Sequence, residues 1–126
     1  MKKITTFIAD DSTIVRERLI EILSRFDNVE IIGQSGNGEE ALNQILEHQP
    51  DVVLLDVNMP GLSGIEVLMR VKAVQPDIKV ILFTSYSAFD LEKECLNRGA
   101  DFFFQSNNLD VLLDLFRSMQ NNVNKM

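Results

Sequence analysis

Short apolar runs rich in branched and aromatic residues alternate along this chain with longer segments whose apolar positions recur at helical spacing. That alternation predicts a βα repeat built around a parallel sheet. Strands are expected at Ile4–Ala9, Val29–Gln34, Val52–Leu55, Lys79–Phe83 and Phe102–Phe104. The third and fourth are apolar on both faces, as strands covered by helices are, which places them mid-sheet.

The helical segments are equally legible. The first runs from Ser12 to Phe26 and puts Val15, Leu19, Ile22, Leu23 and Phe26 on one face, with Arg16, Glu17 and Glu21 toward water. The second, Asn37 to His48, opens with the capping-box-like Asn37-Gly38-Glu39-Glu40 and stops before Pro50. The third spans Ser63 to Val74 and is closed by Pro76; the fourth starts at Ser87, three residues before Asp90, and ends at Arg98-Gly99. The fifth begins after Asn108 and turns Leu109, Leu112, Leu113 and Phe116 inward, while residues 120–126 read as a frayed polar tail without a periodic face. Five βα units with right-handed crossovers give a doubly wound, three-layer α/β domain whose ligand site lies at the carboxyl ends of the strands. Residues 1–120 are expected to form that domain and 121–126 its tail.

Composition narrows the classes. At 126 residues, with 45% hydrophobic and 25% charged positions, the chain suits a single core rather than a two-domain enzyme. A net charge of −7 has the wrong sign for a nucleic-acid backbone or an anionic membrane surface, so no direct nucleic-acid or membrane partner is expected. No window approaches the roughly 18 to 20 apolar residues of a membrane span, and the apolar stretch after Lys2-Lys3 is too short for a cleaved signal. A cytoplasmic location is the expectation. Cys95, the single cysteine, can form no internal disulfide and reads as a packing thiol.

The strand ends carry the chemistry. Asp10 and Asp11 close the first strand and Asp56 follows the third, so three carboxylates should converge on one sheet edge. Like charges so close repel unless a cation neutralises them, and hard oxygen donors suit Mg²⁺, which binds few carboxylates and keeps several waters. After Asp56 comes Val57-Asn58-Met59-Pro60-Gly61-Leu62-Ser63-Gly64, a turn-rich loop in which the Asn58 backbone carbonyl is a further candidate ligand. The fourth strand ends in Thr84-Ser85, two hydroxyls within reach of an anionic oxygen held near Asp56.

Asp10-Asp11, Asp56 with its loop through Gly64, Thr84, and Gly99-Ala100-Asp101 together resemble the receiver domain of two-component response regulators, over nearly the whole chain. The resemblance implies a flavodoxin-like sheet of order 2-1-3-4-5. It also implies that Asp56 accepts a phosphoryl group from a phosphohistidine on a sensor histidine kinase or histidine phosphotransfer protein. Asp11, Asp56 and the Asn58 carbonyl would bind Mg²⁺, with Asp10 acting through water, and positioning plus charge neutralisation would do most of the catalysis. Thr84 would then move toward the phosphoryl oxygens and Phe103 would swing in behind it. Ser85 and Tyr86 would sit at the rim, where Tyr86 is expected to slow hydrolysis. A downstream protein would dock on the face from helix four to helix five, where Leu91, Val111 and Leu115 lie. With His48 the only histidine, the phosphoryl group must come from another protein. The expected role is a stand-alone switch, not an enzyme beyond its own phosphotransfer and slow autodephosphorylation.

One position departs from the family. A lysine usually stands seven residues after the glycine matched by Gly99, and here that position is Ser106, with no lysine between Lys93 and Lys125. Phosphorylation would then couple weakly to Thr84 and Phe103. A phosphorylation-independent interaction module is the alternative. A dinucleotide-binding domain is suggested by Gly36-Asn37-Gly38-Glu39-Glu40-Ala41, but Glu39 and Glu40 would face the pyrophosphate. A small-molecule phosphohydrolase would need a second carboxylate where Asn58 stands.

Overall fold

The structure is a computed structural model that describes residues 3–85 and 89–124. Five parallel strands, β1 (Ile4–Ala9), β2 (Val29–Ser35), β3 (Val52–Asp56), β4 (Lys79–Thr84) and β5 (Phe102–Gln105), lie in the order β2-β1-β3-β4-β5. They alternate with α1 (Thr13–Leu23), α2 (Gly38–His48), α3 (Gly64–Val74), α4 (Phe89–Asn97) and α5 (Leu109–Asn124). This is the doubly wound flavodoxin-like arrangement, with β3 at the centre.

The central strands are apolar on both faces because each face has its own core. Phe7, Val53, Leu55, Val80 and Leu82 pack with Ile45 of α2, Leu68 and Val71 of α3 and Cys95 of α4. The alternate residues Ile8, Val52, Leu54, Ile81 and Phe83 pack with Leu19 and Leu23 of α1 and Leu112 and Phe116 of α5. Cys95 is fully buried, and burial pushes its thiol up to about 11, so it packs as a small hydrophobe.

Helix starts follow the capping chemistry. Ser12, Asn37 and Ser63 each turn a side-chain oxygen onto an N–H of the first turn of α1, α2 and α3. The α2 capping box is only half formed: Asn37 Oδ1 accepts from Glu39 and Glu40, but the Glu40 carboxylate takes the Gln44 amide instead of reaching back. Gly99, at φ +110, makes the left-handed turn after α4. The expected start of that helix at Ser87 lies outside the described residues.

Three expectations change. α1 ends at Leu23, although Phe26 still packs on the core through a turn and lies 6.4 Å from the Phe116 ring. α5 continues to Asn124 through much of the stretch read as a frayed tail, because neither proline nor glycine, the two residues that cost a helix interior most, interrupts residues 109–124. Arg16, placed toward water by periodicity, is half-buried; a long side chain can fold back over the end of its own helix, which a helical wheel does not register.

Candidate functional site

Register brings the predicted carboxylates together. Ala9 pairs with Leu55 across β1 and β3, so Asp10 follows beside Asp56 at the carboxyl edge of the sheet. Oxygens of Asp10, Asp11 and Asp56 lie within 4.8 Å of one another. Asp10 is 4% exposed and Asp56 9%, while Asp11 stands in solvent. The site is a shallow cup with two carboxylates in its floor and one on its lip.

Backbone donors hold two of them. Asp10 Oδ1 accepts the Ser12 N–H at 2.7 Å, and Asp56 Oδ1 accepts the Asn58 N–H at 3.2 Å. These bonds favour the charged form, but burial opposes it more strongly. Burial first, then the Asp10 and Asp11 charges, push the Asp56 carboxyl up to about 7. Asp10 is raised as well, mainly by burial, with a smaller lift from Asp11. Two half-desolvated carboxylates that resist ionising together are a donor set suited to a hard divalent cation. Among the described residues no lysine or arginine side chain pairs with any of the three.

The remaining candidates surround this cup. Asp56 pairs with Phe83, so Thr84 lies one step beyond it on the same edge, buried at 1% exposure. The Thr84 carbonyl accepts the Ser106 N–H at 2.7 Å, which ties the end of β4 to the turn after β5. Ser85, Asn58 and the Ser106 residue itself are exposed. Phe103 is half-buried against the α2–α4 core, whereas Phe102 is 37% exposed and stacks on Phe104 at 6.2 Å, so this strand is not uniformly buried. Tyr86 lies outside the described residues. On the expected docking face Leu91 and Leu115 pack on the cores and Val111 remains exposed.

The glycine-rich start of α2 is closed. The Gly38 N–H donates to the Pro60 carbonyl, Glu39 and Glu40 are capped by Asn37, and a Cβ on Gly38 would lie 1.9 Å from the Leu62 carbonyl oxygen. The loop after β3 therefore occupies the space a pyrophosphate needs, which removes the dinucleotide reading.

A family model for the response regulator receiver domain matches residues 6–116. The chain belongs to that family. It is 40% identical over 102 residues to a protein-glutamate methylesterase/protein-glutamine glutaminase of Clostridium acetobutylicum, an alignment covering 79% of this chain and 30% of that one. Among solved structures, the response regulator domain of Thermotoga maritima CheB superposes with a TM-score of 0.84 at 26% identity, covering 98% of each chain. A chain of the CheX–CheY–BeF3–Mg²⁺ complex from Borrelia burgdorferi gives 0.81 at 27%, covering 91% of this receiver and 90% of that chain. The receiver spans about a third of the length of its methylesterase relatives. Among the described residues no helix is long and apolar enough to cross a membrane.

Sequence reasoning passed over Arg16, whose guanidinium reaches the Asp10 backbone, and Gly64, which packs against Asp56. Arg16 stands one helical turn after Ser12, the residue that follows the Asp10-Asp11 pair, and this is the one signal in the sequence that it can fold back toward them.

Proposed function

We propose that this receiver is a phosphorylation switch in which Asp56 takes a phosphoryl group from a phosphohistidine on a sensor histidine kinase or histidine phosphotransfer protein. The observation that carries this is the convergence of Asp10, Asp11 and Asp56, with the Asp56 carboxyl pushed up to about 7. An Asp56 oxygen forms the new P–O bond as the P–N bond breaks, and the imidazole nitrogen leaves with the electron pair and is reprotonated from solvent. Asp11, Asp56 and the Asn58 carbonyl are the proposed Mg²⁺ ligands, with Asp10 acting through water. Bound there, Mg²⁺ would neutralise the carboxylates and the charge on the phosphoryl oxygens. Similarity to a chain solved with Mg²⁺ and BeF3 supports the same reading.

Thr84 and Phe103 are the proposed switch, read out by a protein partner on the face from α4 to α5, and Ser85 stands at the rim. Ser106, at the position of the family lysine, favours weak coupling and keeps an alternative alive, a partner bound regardless of phosphate. Acid-labile phosphate should appear on wild type with an acyl phosphate donor and Mg²⁺, and disappear without Mg²⁺ or in Asp56→Asn. Equal incorporation in Asp56→Asn overturns the assignment of Asp56. Binding of the partner that is unchanged by Asp56→Asn points to the alternative.

A further inference from the structure

Arg16 lies beside the acidic cup, yet among the described residues it forms no ion pair with a carboxylate. Its Nη1 donates to the Asp10 backbone carbonyl, its Nε to Gln34 Oε1 at 3.0 Å and its Nη2 to Thr13 Oγ1 at 3.2 Å. One planar fork thus ties the end of β1 to β2 and to the first turn of α1. The β2–α2 loop is shaped around it: a Cβ on Gly36 would lie 2.7 Å from Arg16 Nη1 and 3.4 Å from the Asp10 carbonyl oxygen.

We propose that Arg16 is a positioning residue of the acidic site, a clamp that fixes where the Asp10 and Asp11 carboxylates stand relative to Asp56. The clamp stands on geometry alone; its consequence for phosphoryl transfer rests on the reading of Asp56 as phosphoacceptor. Three repelling carboxylates relax by turning apart whenever the chain that carries them can yield. Here it cannot, because the Asp10 peptide is held at its N–H by the Ser35 carbonyl, at its carbonyl by Arg16 and at its carboxylate by Ser12. Of those three, only the Arg16 contact comes from a side chain and can be deleted without altering the backbone. The engagement of Arg16 with the carbonyl further keeps that oxygen out of any cation's shell.

Wild type, Arg16→Lys, Arg16→Gln, Gly36→Ala and Asp56→Asn would be compared by calorimetric titration with Mg²⁺ and by acid-labile phosphate from acetyl phosphate at saturating Mg²⁺. Arg16→Gln should weaken Mg²⁺ binding by about 10-fold or more, in line with losses at residues that orient metal ligands, and should also slow phosphorylation when Mg²⁺ is saturating. Arg16→Lys should recover only part of both, since an ammonium keeps the charge but cannot span the three acceptors. Gly36→Ala leaves the arginine in place but pushes its guanidinium aside, so it should shift Mg²⁺ affinity in the same direction. Wild-type affinity and rate in Arg16→Gln, or full recovery by Arg16→Lys, overturns the clamp. Should Arg16→Gln fail to fold, unchanged Mg²⁺ affinity in Gly36→Ala overturns it instead. If wild type takes no phosphate on Asp56, the phosphoacceptor reading fails while the Mg²⁺ titrations still decide the role of Arg16.

Discussion

Gly64 sits so close to the Asp56 backbone that a Cβ on it would lie 2.1 Å from the Asp56 carbonyl oxygen and 2.8 Å from the Val57 Cα. The Gly64 N–H donates to the Val57 carbonyl at 2.8 Å, so the first residue of α3 is stitched directly to the end of β3. Both obstacles are main chain and cannot rotate away. Gly64→Ala should therefore cost about 2 kcal/mol or more in a urea unfolding titration, in the range of overpacked cores, and should displace Asp56. A loss below about 0.5 kcal/mol would show that the β3–α3 loop yields more easily than this contact implies.

The raised Asp56 carboxyl makes a prediction about pH. Its folded value of about 7 lies above the ordinary 3.8, so between those values the folded chain holds a proton that the unfolded chain has released. Stability then falls as pH rises through that window, by about 1.4 kcal/mol for each unit of the shift, and the loss is complete above about 7. Without divalent cation, wild type should lose stability relative to Asp56→Asn between pH 5 and 7.5, and added Mg²⁺ should reverse the difference near neutral pH. Parallel stability curves for the two proteins would remove the claim.

Much of this was legible in the sequence because period and capping act locally. The βα alternation located every strand, with the differences confined to one residue at the carboxyl ends of β2 to β5, and Ser12, Asn37 and Ser63, read as the starts of three helices, are their N-caps. Asp10, Asp11 and Asp56 were predicted to meet because parallel strands put their ends on one edge. Contacts that depend on how a side chain folds back, or on what lies against a glycine, were not legible. Arg16 lies on the water side of a helical wheel yet reaches the Asp10 carbonyl, and nothing in Leu62-Ser63-Gly64 reveals that the chain will pass within contact of both Gly38 and Asp56.

At the opposite edge of the sheet, Asp101 Oδ2 accepts both the Lys72 Nζ and the Val80 N–H, at 2.7 and 2.8 Å, while Lys72 also donates to the Ile78 carbonyl. The pair is mostly buried and joins α3, β4 and the turn before β5. Asp101→Ala leaves the Val80 N–H without this acceptor and the Lys72 ammonium with carbonyl partners only, and should cost about 2 to 3 kcal/mol by chemical denaturation. Asp101→Asn keeps an acceptor for Val80 and should cost less. Because this clip lies far along the strands from Asp56, phosphate incorporation per folded molecule should match wild type in both variants. Equal losses in Asp101→Asn and Asp101→Ala would mean that the charge, not the Val80 bond, dominates.

Ser106 presents its N–H to the Thr84 carbonyl while the residue itself is exposed, so a backbone hydrogen bond links the turn after β5 to the proposed switch. A lysine there would add a charge-assisted contact to phosphoryl oxygens, worth about 1.5 to 3 kcal/mol, and would bring the cup with its cation near neutrality. Ser106→Lys should therefore tighten binding of a fluoroberyllate phosphoryl analogue in the presence of Mg²⁺ by about tenfold or more. It should also enlarge the backbone amide shifts that the analogue induces from β4 to α5. Mg²⁺ affinity without the analogue should fall in the same variant, since the added cation competes for the carboxylates. Wild-type shifts as large as those of Ser106→Lys would show that the serine does not weaken the switch, and that coupling runs through the Ser106 to Thr84 backbone bond instead.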